Sequence, residues 1–180
     1  MTQVALVTGA SRGIGATTAI ELAKQGYSIC VNYHSEQDSA MKVVSEIERL
    51  GSKAIAVQAD ISDEKDVIRL FNEVDQQLGK LNLLVNNAGI LFTQMRIEQM
   101  SAERINKTLT TNVTGYFLCC REAVKRMSYE HNGTGGVIVN VSSAASRTGA
   151  PHEYIDYAAS KGAVDSLTIG LAKEVAAQGI

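Results

Sequence analysis

The chain has 180 residues, 45% of them hydrophobic and 20% charged, with a formal net charge of -2. That length suits one domain with a well-buried core and is too short for two ordinary ones. The balance is that of a soluble globular protein, and it lacks the basic excess that binding nucleic acid requires.

In chain order, short apolar runs rich in β-branched residues alternate with helix-period segments. Val4 to Thr8 reads as a strand and Ile14 to Gln25 as a helix; Ser28 to Val31 and Glu36 to Leu50 repeat the pattern. Lys53 to Val57 precedes a helix from about Asp63 to Leu78, and Leu81 to Val85 precedes a loop and a long helix from about Ala102 to Met127. Gly136 to Val141 then precedes a helix from about Asp156 to Ala177. Strands this short and continuously apolar are expected to be buried on both faces, as in a parallel sheet whose right-handed crossovers put helices on each side. The expected fold class is therefore α/β, a doubly wound parallel sheet of the Rossmann type, with 1–180 as a single domain. Ligands in such sheets sit outside the carboxyl ends of the strands.

The same pass bounds partners and place. The longest stretch free of charge apart from Lys107, Ile105 to Cys120, is broken by Asn106, Thr110, Thr111, Asn112 and Thr114, so no membrane span is expected. The N-terminal apolar run ends in a glycine turn with no basic region before it, which reads as cytoplasmic. Cys30, Cys119 and Cys120 lack paired spacing, and His34, His131 and His152 are scattered, so neither disulfides nor a metal site is expected.

Gly9, Ser11, Arg12, Gly13, Ile14 and Gly15 lie between the first strand and first helix, where a cofactor phosphate meets free N–H groups and the positive helix end. Glycine lets backbone approach that closely. An acidic residue about 20 positions on normally binds the ribose 2′-hydroxyl of NAD. Here the second strand ends in Asn32, Tyr33 and His34 with no carboxylate, and Arg12 offers a forked cation for a 2′-phosphate, so NADP(H) is expected over NAD(H).

Tyr157 and Lys161 are four apart, on one face of a helix. A free phenol titrates near pH 10, but an ammonium at about 4 Å and an effective dielectric near 20 favours phenolate by roughly 4 kcal/mol before solvent screening. Tyr157 is thereby expected to be poised for proton transfer near neutrality.

Taken together, the glycine loop Thr8 to Gly15, Asp60-Ile61, Asn86-Asn87-Ala88-Gly89, Asn112, Ser142-Ser143 and Tyr157-x-x-x-Lys161 resemble the motifs of the short-chain dehydrogenase/reductase family, in order and over the whole chain. The flavour is similar to 3-oxoacyl-carrier-protein reductases and glucose dehydrogenases. The resemblance implies hydride transfer between nicotinamide and a carbonyl or secondary alcohol, with Asn112, Ser143, Tyr157 and Lys161 catalytic. It implies that Asp60 and Ile61 meet adenine, that Asn87, Ala88 and Gly89 line the ribose side, and that Lys161 also holds the nicotinamide ribose. Ser143 would bond the substrate oxygen, with Ser142 competing for that part, and Asn112 would hold a water in a relay to Lys161.

The family also implies a homotetramer built partly on the helix 102–127. It continues, after Gln178-Gly179-Ile180, with a sixth strand, a cofactor loop, a lid and an edge strand. Some two βα units of about 30 residues each are thus expected beyond a fragment or incompletely represented chain, which would expose an apolar flank. A non-catalytic nucleotide-binding module, a redox sensor or assembly partner, is the alternative.

Overall fold

The structure, a computed structural model, describes residues 3–180. Five strands, β1 (Gln3–Val7), β2 (Tyr27–Tyr33), β3 (Ala54–Gln58), β4 (Leu83–Asn86) and β5 (Val137–Asn140), form one sheet in the order β3-β2-β1-β4-β5. Every pairing is parallel. The chain winds outward from β1 through β2 to β3, then crosses back to β4 beside β1. The ends of β1 and β4 therefore flank the point where the winding reverses, which is where such sheets leave a crevice.

The period of two along β1 sorts its side chains to two cores. Val4 and Leu6 pack with Val67, Leu70 and Phe71 of α3 (Glu64–Gln77) and with Tyr116, Cys119 and Ala123 of α5 (Gly115–Met127). Ala5 and Val7 pack on the other face with Ala19 and Ala23 of α1 (Gly13–Lys24) and with Val43, Val44 and Ile47 of α2 (Gln37–Arg49). α1 buries only small residues, Gly15, Ala19 and Ala23, so it lies close against the sheet. α3 starts where Asp63 accepts the free N–H of Asp66 at 3.0 Å, as an N-cap should.

Three expectations change. The helix expected over Ala102 to Met127 is α4 (Ala102–Leu109) and α5 joined by one wide π-turn at Thr110–Thr114. A short helix, α6 (Ala145–Thr148), precedes α7 (Ile155–Val175) where the sequence suggested only a connection. Burial on both faces holds for β1, β2 and β4 but not for β5, where Val137 is 56% and Val139 43% exposed. Among the described residues β5 pairs with β4 alone, and an edge strand keeps one flank open.

Candidate active site

A cleft of about 630 Å³ opens at the carboxyl ends of the strands, bordered by Gly9, Ser11, Arg12, Asn32, His34, Asp60 and Asn87 to Gly89. Its first wall is backbone. Gly9 and Gly13 adopt φ of +61° and +57°, a left-handed conformation that favours glycine. A Cβ at Gly9 would stand 2.8 Å from the Ala88 Cα, and one at Gly15 would stand 2.6 Å from the Gly9 carbonyl oxygen and collide with the Asn87 amide. At Gly13 nothing lies within 4 Å of that position. Arg12, the residue before α1, makes no side-chain cap, so the first-turn N–H groups remain available to an anion. A tight turn with glycine at positions 9, 13 and 15, open space above Gly13 and free N–H groups fits a dinucleotide's pyrophosphate.

Neighbouring strands hold this turn. Asn32 accepts from the Gly9 N–H at 3.2 Å and donates to the carbonyls of Val57 and Ala59 at 3.3 and 3.1 Å. Asn87 donates to the Thr8 and Gly9 carbonyls at 2.9 and 3.1 Å. The Thr8 hydroxyl accepts from the N–H groups of Asn87 and Ala88 at 2.9 and 3.0 Å. Asn32 and Asn87 are thus braces of the loop, a role the motif alone did not reveal.

Around the rest of the cleft, Arg12 and His34 are exposed, with His34 Nε2 3.5 Å from Asp60 Oδ2. Asp60 Oδ1 accepts from the Ser62 N–H and hydroxyl at 2.9 and 2.7 Å, fixing the turn after β3. Two residues expected to meet the cofactor face elsewhere. The Tyr33 side chain is buried with Val43, Val44 and Ile47, because strand alternation sends it to the core when Asn32 and His34 face the cleft. Ile61 borders the cleft, but its side chain packs in the core against Gly115. Ile14 is 69% exposed, so its contribution is its backbone.

The far side of the cleft is lined by Ala88 to Ile90 with Asn106, Lys107, Thr110 and Thr111, and next to Gly89, behind that lining, side chains from distant elements meet. Asn112, buried in the π-turn, accepts from the Ile90 N–H at 2.8 Å and donates to the Ile90 carbonyl at 2.9 Å and the Ser160 hydroxyl at 3.1 Å. Both amide hydrogens are committed, so the side chain clamps the segment after Gly89 to α7. Asn112 thereby bonds both main-chain groups of Ile90, as a neighbouring strand would.

Lys161 is 3% exposed, and its ammonium donates to the Val141 carbonyl at 2.7 Å and to the Tyr116 hydroxyl at 3.3 Å. Its Nζ lies 5.7 Å from the Tyr157 ring centroid and 3.9 Å from where a Cβ on Gly89 would sit. Lys161 and Tyr157 lie on the same side of α7, as their four-residue spacing requires, but the ammonium's hydrogen bonds go to Val141 and Tyr116, since a buried ammonium takes the acceptors within reach. Burial pushes the Lys161 pKa down to about 8, with the Asp165 charge opposing it. Burial likewise pushes the Tyr116 phenol up, leaving it a neutral partner. Tyr157 is half-buried against Tyr154, the rings edge to face with centroids 5.9 Å apart, and against Ala145 and Ala150.

The two candidate serines separate. Ser142 donates to the Lys161 carbonyl at 3.4 Å and, with Ser146, helps hold the Asp165 carboxyl below its ordinary pKa. The Ser143 hydroxyl accepts from the Ala145 N–H at 3.2 Å at the mouth of α6. Cys30, Cys119 and Cys120 are buried thiols, and burial raises Cys120 to about 11, which keeps it unreactive. Among the described residues no helix is long and apolar enough to cross a membrane.

A family profile described as short chain dehydrogenase matches residues 3–180. The chain is 61% identical over 177 residues to an uncharacterized oxidoreductase, YgfF, of Escherichia coli, covering 98% of this chain and 72% of that protein. It is 39% identical over 180 residues to a 3-oxoacyl-[acyl-carrier-protein] reductase of Staphylococcus aureus, covering 100% of this chain and 71% of that one. A crystal structure of a short chain dehydrogenase from Burkholderia cenocepacia in complex with NADP superposes with a TM-score of 0.91 at 36% identity, over 99% of this chain and 70% of that one.

Proposed function

The chain belongs to the short-chain dehydrogenase/reductase family and is a nicotinamide-dependent oxidoreductase, and from that premise we propose an NADP(H)-dependent reductase of a carbonyl, or dehydrogenase of a secondary alcohol, with Tyr157 moving the proton. Residues 1–180 would form one dinucleotide-binding domain. The observation that carries the reading is the buried Lys161 ammonium, 5.7 Å from the Tyr157 ring and beside Gly89, at the ends of β4 and β5.

The nicotinamide, when bound, gives a hydride to the substrate carbon or takes one from it. The turn Gly9 to Gly15 would hold the pyrophosphate, Arg12 and His34 the 2′-phosphate, and Asp60 with the main chain of Ile61 the adenine. Asn87, Ala88 and Gly89 would line the ribose side. In reduction the Tyr157 hydroxyl gives its proton to the substrate oxygen as that oxygen gains charge; in oxidation the phenolate takes the proton from the alcohol. The Lys161 charge favours the phenolate in either direction and would bond the nicotinamide ribose. Ser143 would donate to the substrate oxygen, and Asn112 would fix the distance between the Ile90 segment and α7.

NADP in the complexed relative supports the preference for NADP(H), as does the carboxylate-free end of β2. The 3-oxoacyl reductase among the relatives makes a 3-oxo ester the first substrate to try. The family resemblance supports a cytoplasmic homotetramer, and so does the groove between α5 and α7, where Phe117 is 53% exposed beside Leu167 and Leu171.

The test is Tyr157→Phe assayed with NADPH and a panel of ketones, aldehydes and 3-oxo esters. NADPH fluorescence should still report binding while turnover is lost. Turnover close to that of the unsubstituted protein would remove Tyr157 from the reaction. Binding without turnover in the unsubstituted protein would favour the non-catalytic module instead.

A further inference from the structure

We propose that Arg104 and Asp156 form a positioning pair that holds Tyr157 and the segment after Gly89 in one frame, so that proton transfer depends on an ion pair outside the motif. The proposal rests on the reading of Tyr157 as the proton-moving group.

Asp156 directly precedes Tyr157 in the first turn of α7, and its side chain is 3% exposed. Arg104, on α4, meets it as a fork, with Nε 2.8 Å from Oδ2 and Nη2 3.3 Å from Oδ1. The same guanidinium donates through Nη1 to the Thr93 carbonyl at 2.7 Å and lies 5.5 Å over the Phe92 ring. The Thr108 hydroxyl donates to Asp156 Oδ2 at 3.2 Å. Burial pushes the Asp156 carboxyl up, but the Arg104 guanidinium, the Tyr157 backbone N–H and the Thr108 hydroxyl outweigh it and hold the pKa below the ordinary value. One planar group therefore fixes α4, the Phe92-Thr93 segment and the turn carrying Tyr157, while Asn112 clamps the same segment from its other end at Ile90.

Buried ion pairs seldom add stability over apolar packing of the same volume. What a fork does supply is direction, and a lysine lacks it. The pair is also neutral in sum. Breaking it leaves one bare charge beside the turn that carries Tyr157: the Asp156 carboxylate in Arg104→Gln, which disfavours phenolate, or the Arg104 guanidinium in Asp156→Asn, which favours it. The other charged or titratable neighbours of the phenol are Lys161 on its own helix with Asp165 beyond it, Tyr154 one turn before with Glu153 against it, and Tyr116 on α5. None of them changes in either variant.

The experiment compares R104Q, D156N, the double variant and R104K, each with Tyr157 and with Phe at that position, using NADPH and ethyl acetoacetate as probes. It reads kcat, KM, the pH profile, NADPH affinity by fluorescence, the melting temperature, and the Tyr157 titration as the ultraviolet tyrosinate difference between paired proteins. kcat should fall about tenfold in each single variant, as a displaced reacting group costs, with NADPH affinity within about twofold. The pH limb should move up in R104Q and down in D156N, each on the order of half a pH unit, and return in the double variant while kcat stays low. R104K keeps the charge, so its limb should stay put while kcat falls; with D156N it carries the test if R104Q does not fold. Unchanged kcat in folded single variants, or limbs that do not move in opposite senses, overturns the proposal. If Tyr157→Phe keeps its turnover the underlying reading fails instead, and the tyrosinate titration still reports the field of the pair.

Discussion

Over the ends of β1 and β2 the cleft is walled largely by backbone, whereas past the ends of β4 and β5, next to Gly89, a cluster of side chains is drawn from the π-turn, α5 and α7. On the first side, glycines within seven residues create the shape, and Asn32 and Asn87 hold it by bonding main-chain groups. On the second, Lys161, Tyr116, Asn112 and Tyr157 meet only because helices far apart in the chain converge. Under the proposed function the first side meets what every dinucleotide presents, a charged and invariant backbone, and the second serves the reacting atoms, where chemistry depends on side-chain protons. Damage to the first should therefore appear in binding and stability, and damage to the second in turnover.

The sharpest separation is expected from Tyr157→Phe, which should lose about 10²- to 10⁴-fold in turnover, the range of general acid–base catalysis, with NADPH affinity kept. A matching loss of NADPH affinity would mean that the two sides are not separable. Arg12→Ala should act on the other side alone, lowering kcat/KM for NADPH roughly 10- to 100-fold, as losing a charge-assisted contact does, while leaving NADH nearly unaffected. An equal effect on both cofactors would place the 2′-phosphate away from Arg12. Gly15→Ala forces a Cβ to 2.6 Å from the Gly9 carbonyl oxygen. It should cost about 1–3 kcal/mol of stability and weaken NADPH binding, read from a denaturant midpoint and a fluorescence titration.

Lys161→Met gives the smallest stability effect. The folded pKa of about 8 lies below the ordinary 10.5. Between those values the unfolded chain binds more protons, so stability should rise as pH climbs through that window and fall as pH drops through 8. Met removes the dependence, so the variant should be inactive yet as stable at pH 7 as the unsubstituted protein, or about 1 kcal/mol more stable. A lower melting temperature at pH 7 would show instead that the bonds to Val141 and Tyr116 outweigh the cost of burial.

How far the sequence reached follows the same divide. The glycine turn, the alternation of strands and helices, and the pairing of Tyr157 with Lys161 are local, with spacings under eight residues. Tyr33 was read from its place at a strand end, but alternation put it in the core. The π-turn escaped because one extra residue in a helix leaves the 3.6-residue period almost intact, although Asn112 amid Thr110, Thr111 and Thr114 marks a poor helix centre. Arg104 and Asp156 escaped because 52 positions separate them and no pattern links them.

From residues alone came the fold class, the glycine turn and the placement of Tyr157 and Lys161 on one side of a helix, since backbone conformation and helical spacing act over one turn and are written in adjacent residues. Folding in three dimensions settled which groups receive the Lys161 ammonium, how Asn112 spends its amide, and what anchors the turn holding Tyr157. Those are contacts between distant segments, chosen by packing and by the need of every buried polar group for a partner.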